Sequence, residues 1–183
     1  MAFKTAIIVG SLRKESINLK LAKALAKLGE GKFTVEYPSI DLPVFNQDME
    51  ENFPAIVTAF KKPIDEADAV LFVTPEYNRS IPGPLKNAID WASRPYGKNS
   101  FTGKIAATVG ASGGALGTAC AQQMLKQILV YFNMQVIGQP EVYLHYKDGM
   151  FDADSNITDE GTKKFLTSFV EKFTAFAEKR LAK

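Results

Sequence analysis

Short apolar runs alternate along this chain with longer stretches in which apolar residues recur every three or four positions. Near-continuous apolar runs at Phe3–Val9, Ala69–Thr74 and Lys104–Val109 predict strands covered on both faces. Phe33–Tyr37 alternates and predicts a strand with one face toward the core. Ile17, Leu21, Leu25 and Leu28 share one helical face, with Lys20, Lys23 and Lys27 opposite. Ile56, Phe60, Ile64 and Ala67 have helical spacing from Pro54, and Pro63 predicts a kink or a fresh turn after Lys62. Leu85, Ala88, Ile89 and Trp91 predict a buried face on a helix over Pro84–Ser93, and a long helix follows Gly117 to about Phe132. Gln135–Ile137 and Glu141–Tyr146 read as short strands around Pro140, and Lys147–Asn156 as an acidic surface loop. Thr158 is placed to cap a last helix carrying Phe165, Phe169, Phe173 and Phe176 on one stripe.

Strands alternating with helices imply a parallel sheet with helices on both faces. Five such units over residues 1–183 predict one domain of α/β class. The expected architecture is a doubly wound, five-stranded parallel sheet of flavodoxin-like order 2-1-3-4-5. In that topology ligands sit outside the carboxyl ends of the strands, where the winding reverses. Gly10–Asn18, Pro75–Gly83 and Gly110–Gly117 are the loops that emerge there, and they are the most distinctive stretches of the chain.

The first loop leads from a strand into a helix. Its end presents unpartnered N–H groups at the positive pole of the helix dipole, which suits an anion, above all a phosphate. Ser11, Ser16 and Asn18 add neutral donors and Arg13 adds charge-assisted ones. Prolines stiffen the second loop, and Tyr77 offers an aromatic border for a planar ligand. Glycines in the third let backbone approach a ligand closely. A phosphate pocket beside a flat, backbone-lined slot suits a mononucleotide with a planar ring, such as FMN.

Composition removes other classes. A formal net charge of +2 is too small to argue for nucleic acid or an anionic membrane as a partner. One cysteine, Cys120, makes an intramolecular disulfide and a cysteine-rich metal site impossible; its alanine-rich helical setting predicts inert core. The apolar runs are shorter than a membrane span and the N-terminal segment lacks a signal-peptide layout, so a cytoplasmic location is expected. Asp152, Asp154 and Asn156 look like half a calcium loop, but Ile157 stands where the turn glycine belongs and Lys163 where the closing glutamate does.

Three blocks of sequence resemble the NAD(P)H-dependent FMN reductase family, whose members include chromate and quinone reductases and some azoreductases. They are Gly10-Ser11-Leu12-Arg13 with Ser16-Ile17-Asn18; Pro75-Glu76-Tyr77-Asn78 with Ser80-Ile81-Pro82-Gly83 and Leu85 to Trp91; and Ser112-Gly113-Gly114 with Gly117. The resemblance spans roughly Thr5 to Ile137 and implies bound FMN, NADPH or NADH as co-substrate, and a homodimer or homotetramer. It implies that Ser11, Arg13, Ser16, Ile17 and Asn18 hold the FMN phosphate. Pro75, Glu76, Tyr77 and Asn78 would border the isoalloxazine, with Ser112, Gly113 and Gly114 closing the other side. The flavin then carries the chemistry, no side chain is assigned as catalytic, and ping-pong transfer to a small-molecule acceptor follows, with quinones, azo dyes, chromate and free flavin all open. Arg79 is placed either to meet the 2′-phosphate of NADPH or to be solvated.

Two rival readings remain at this level. A flavodoxin-like electron carrier or FMN sensor would hold flavin and oxidise NAD(P)H poorly. A serine hydrolase is the remoter one: Gly110-Ala111-Ser112-Gly113-Gly114 fits the nucleophile-elbow pattern, with His145 and Glu141 formally available to complete a triad.

Overall fold

A computed structural model describes residues 2–182. Strand β1 (Phe3–Val9) leads into helix α1 (Ile17–Leu28), and β2 (Phe33–Glu36) into α2 (Ala55–Glu66). Strand β3 (Ala69–Val73) precedes α3 (Gly83–Ala92), and β4 (Ile105–Ser112) precedes α4 (Ala119–Tyr131). Two short strands, β5 (Gln135–Val136) and β6 (Val142–His145), come before the last helix, α5 (Glu160–Leu181). The sheet runs β2-β1-β3-β4-β5 and every pairing is parallel, which is the expected doubly wound order.

The sheet has six strands rather than five. β5 pairs with the first half of β4, at Ile105 and Ala106, whereas β6 pairs with its second half, from Val109 to Ser112. The fifth sheet position is thus one strand broken in two, and the Gly138–Glu141 stretch, with Pro140, interrupts it. Because β6 supplies a partner there, β4 continues through Gly110 and Ala111 to Ser112, three residues that the sequence places in a loop.

One face of the sheet is covered by α1 and α5, through Leu21 and Leu25 on the first and Leu166, Phe169, Val170 and Phe173 on the second. The other is covered by α2, α3 and α4, through Phe60, Ile64, Leu85, Ile89, Leu125 and Leu129. Both faces of β3 are fully buried, which its uninterrupted apolar run dictates. Trp91 is also fully buried: its indole N–H donates to the Pro43 carbonyl at 2.8 Å, and Phe45 and Phe53 meet its ring edge to face. The segment after β2 is therefore packed against α3, and it contains a turn of 3-10 helix at Gln47–Met49.

Four local expectations change. α2 runs through Pro63 without a fresh start, with Ile64 beyond it fully buried against the sheet. Asp159, not Thr158, caps α5: its carboxylate accepts the Thr162 N–H at 2.6 Å, while the Thr158 hydroxyl donates to the Gly149 carbonyl. The buried stripe of α5 is centred on Leu166, Phe169, Val170, Phe173 and Ala177, which leaves Phe165 exposed at its margin and Phe176 beneath the Arg180 guanidinium. The acidic loop is not all surface, because Phe151 is buried against Tyr146, and Lys27 of α1 donates to Asp154 and Asn156 across it.

Candidate functional site

The carboxyl ends of β1, β3 and β4 bring three loops together beside the reversal of winding. Ser16 closes the first as the N-cap of α1: its hydroxyl accepts the Leu19 N–H at 3.2 Å and its carbonyl accepts the Lys20 N–H. The N–H groups of Ile17 and Asn18 are left facing out of the helix end, where the dipole is positive. Ser11 and the exposed Arg13 stand beside them, and the Ser11 hydroxyl oxygen accepts the Arg13 N–H at 3.3 Å.

The Asn18 side chain has a different task from the one its residue type suggests. It is 1% exposed, donates to the Ala111 carbonyl at 2.9 Å and accepts the Ala111 N–H at 2.9 Å. β3 has ended by this level of β4, since Thr74 N–H already donates to Val109. The amide of Asn18 therefore stands in for the missing strand and locks the first loop to the third.

The second loop turns back on itself at Tyr77–Ser80, with both backbone hydrogen bonds between those residues formed. Asn78 and Arg79 both have left-handed backbone, at φ 51° and 65°, as a two-residue turn of this hand requires. Glu76 is engaged through both carboxylate oxygens. One carboxylate oxygen accepts the Ala121 N–H at 3.1 Å and the other lies 3.3 Å from Arg79 Nη1. Thr118 offers no cap to α4, so the N-terminus of that helix is capped by a residue 45 positions earlier. No local pattern in the sequence signals that contact.

In the third loop, Ser112 Oγ accepts the Gly114 N–H at 3.1 Å, and the Gly114 carbonyl accepts the Gly117 N–H at 3.0 Å. The same carbonyl lies 3.1 Å from His145 Nδ1, and a carbonyl can only accept, so this contact assigns the proton to Nδ1. Gly110 is required by close approach: a Cβ there would lie 2.2 Å from both the Thr74 carbonyl oxygen and Thr118 Oγ1. A Cβ on Gly113, by contrast, would meet nothing within 4 Å.

All twelve residues nominated from the sequence line one of two adjoining clefts. The inner one, of about 160 Å³, is lined by Ser11, Arg13, Ser16, Ile17, Asn18, Pro75, Glu76, Tyr77, Ser112 and Gly113, together with Ala111. The outer one, of about 270 Å³, shares Glu76 and Ser112 with it and adds Asn78, Arg79, Gly114, Leu116 and Gly117. Larger hollows of about 450 and 520 Å³ lie between β2 and α2 and between α3 and α4, and none of the twelve residues lines them.

The arrangement is not a hydrolase triad. Glu141 accepts from Lys126, Tyr143 and Gln123 rather than orienting His145, whose Nδ1 faces Gly114. Cys120 is half-buried near the start of α4 rather than fully enclosed in the core.

Donors gathered at one helix end beside a slot walled by backbone suit a mononucleotide at the switch point of a flavodoxin-like sheet. The NADPH-dependent FMN reductase family matches the chain over residues 3–149, and the chain belongs to that family. It is 46% identical over 181 residues to a 2-hydroxy-1,4-benzoquinone reductase of a Burkholderia species, covering 98% of this chain and 99% of that protein. A quinone reductase of Pseudomonas putida is 43% identical over 178 residues, 96% of this chain and 95% of that one. The solved structure of FerB, a flavoenzyme NAD(P)H:(acceptor) oxidoreductase from Paracoccus denitrificans, superposes with a TM-score of 0.93 at 47% identity, covering 97% of this chain and 98% of that one.

The protein is accordingly an enzyme that uses FMN as cofactor and NAD(P)H as co-substrate, and the electron-carrier reading gives way. Its residues fit that cofactor. Free helix-end N–H groups, serine hydroxyls and Arg13 match a phosphate, and the open space over Gly113 leaves room for a flat ring against backbone.

Proposed function

We propose that the chain reduces quinones with electrons from NAD(P)H in a ping-pong cycle, the oxidised dinucleotide leaving before the quinone enters the same face. The observation that carries this reading is the convergence of all twelve nominated residues on two adjoining clefts. FMN, when bound by these residues, would supply the redox chemistry that couples NAD(P)H oxidation to reduction of an acceptor.

The protein's own residues bind and orient. Ser11, Arg13, Ser16 and the backbone N–H groups of Ile17 and Asn18 take the phosphate. The Asn18 side chain serves by fixing the loop to Ala111 rather than by reaching the ligand. Pro75 to Asn78 on one side and Ser112 to Gly114 on the other border the ring largely through backbone. Backbone N–H groups aimed at the ring would stabilise negative charge that develops on it during reduction, without a side-chain acid or base. The relatives named for quinones support the acceptor class; azo dyes, chromate and free flavin are further acceptors to be compared in one assay. Homo-oligomeric assembly and a cytoplasmic location belong to the same reading, and no helix among the described residues is long and apolar enough to cross a membrane.

The test is the visible spectrum of the purified protein under anaerobic conditions. A flavin spectrum that bleaches with NADPH and returns on adding benzoquinone is expected. Initial rates should give parallel double-reciprocal lines. Flavin that bleaches but is not reoxidised by quinone would refute the acceptor class, and intersecting lines would refute the ping-pong order.

A further inference from the structure

The outer cleft carries a cation held in a conformation that its residue type disfavours. Arg79 has φ 65° at the second position of its two-residue turn. Left-handed backbone is costly for a residue with a Cβ and long stem, and glycine is preferred there in turns of this hand. Asn78, at φ 51°, is of a type that tolerates the region.

The fold uses only part of the arginine at this place. The guanidinium makes one contact, 3.3 Å to a Glu76 carboxylate that is itself 7% exposed, while 70% of the Arg79 side chain stays in solvent with donors to spare. The other Glu76 oxygen is held separately, by the Ala121 N–H. An unfavourable backbone state that serves no packing is a pointer to a ligand.

The position of Arg79 says which ligand. It lines the outer cleft with Asn78, Ser112, Gly114 and Leu116, and that cleft joins the inner one through Glu76 and Ser112. Arg13, the other cation of the two clefts, stands at the α1 end, beside the phosphate donors of the inner one. A nicotinamide stacked on the ring must send its diphosphate and adenosine arm outward. Among the residues lining the outer cleft, Arg79 is the cation available to meet it.

We propose that Arg79 is the residue that recognises the dinucleotide co-substrate, by binding one of its phosphate groups. The inference rests on reading the adjoining clefts as the FMN and NAD(P)H sites. Two phosphates share this chemistry, the 2′-phosphate of NADPH and the diphosphate common to both dinucleotides.

The experiment is calorimetric titration of FMN-loaded wild type, Arg79→Gly and Arg79→Lys with NADP⁺ and with NAD⁺, alongside the melting temperature and FMN dissociation constant of each. Arg79→Gly should weaken NADP⁺ by about 3–10-fold, the span for a charge-assisted contact at an exposed rim. It should also raise the melting temperature by about 2–4 °C as backbone strain is relieved. Arg79→Lys, which keeps both cation and strain, should lose less affinity and gain no stability. Weakening confined to NADP⁺ assigns the 2′-phosphate, and equal weakening of NAD⁺ assigns the diphosphate. Unchanged affinity for both dinucleotides in Arg79→Gly overturns the proposal. So does a lower melting temperature together with lost FMN, which would make Arg79 a structural support of the turn. Wild type that binds NADP⁺ yet fails to reduce benzoquinone would refute the proposed acceptor and leave the role of Arg79 standing.

Discussion

Asn18→Ala separates a structural from a ligand-binding role at the centre of the site. The substitution removes both hydrogen bonds to Ala111 and leaves the N–H and C=O of that residue facing a space from which water is largely excluded. Each buried backbone group left unsatisfied costs about 1–3 kcal/mol. Water entering the vacated room recovers part of this, so the expected loss is about 2–4 kcal/mol. In a chain of this size each kcal/mol lowers the melting temperature by about 2–4 °C, which puts the variant about 5–15 °C below wild type. The measurement is thermal and urea unfolding of the FMN-free protein, followed by far-ultraviolet circular dichroism. Using apo protein matters, because a residue that only bound phosphate would leave apo stability untouched. Asn18→Asp should fall between the two, since a carboxylate still accepts the Ala111 N–H but opposes the Ala111 carbonyl. An apo melting temperature within about 2 °C of wild type, with FMN affinity lost, would refute the strand-mimic argument and return Asn18 to the list of direct ligands.

The third loop makes a paired prediction. Gly110→Ala forces a methyl within 2.2 Å of the Thr74 carbonyl and should destabilise the protein by about 3 kcal/mol or more, read as lost soluble yield or a lowered urea midpoint. Gly113→Ala meets no atom within 4 Å and should leave apo stability nearly unchanged while weakening FMN; unchanged FMN affinity would show that the slot is not at Gly113. At the outer face of α4, hydrogen bonds from Lys126 and Tyr143 hold the Glu141 carboxyl below the ordinary glutamate range. The unfolded chain then binds that proton more tightly, so this contribution is present above the unfolded pKa and is lost as pH falls through the folded one. Glu141→Gln should flatten the acid limb of a stability–pH curve. It should also lower Tyr143, now pushed up to about 12 by burial first and by the Glu141 hydrogen bond second, which phenolate absorbance in alkaline titration reads directly.

The sheet order and the convergence of the three loops were legible in the sequence because both rest on local patterns. Uninterrupted apolar runs announce β1 and β3, and the serine-containing turn before Ile17 announces the start of α1. What escaped was long-range. β4 extends to Ser112 only because β6 lies beside it, and nothing within Gly110–Ser112 encodes that partner. Asn18 looks like a donor to phosphate until the end of β3 exposes Ala111 to it across 93 positions. Glu76 sits within a motif whose resemblance implies a ring border, yet its carboxylate accepts from the start of α4. Pro63 misled because proline's local cost was set against a helix face whose burial at Phe60 and Ile64 outweighs it.

The broken fifth strand bears on how copies of this chain can meet. An open sheet ordinarily offers a row of unpaired backbone groups at each border, ready to template another chain. Here one border is β2, four residues long, and the other is shared between pieces of two and four residues that occupy different halves of β4. Neither border presents a straight run long enough for strand addition to take hold. Edge-to-edge polymerisation of the folded protein is thereby disfavoured, in part by the same interruption that lets β4 reach Ser112.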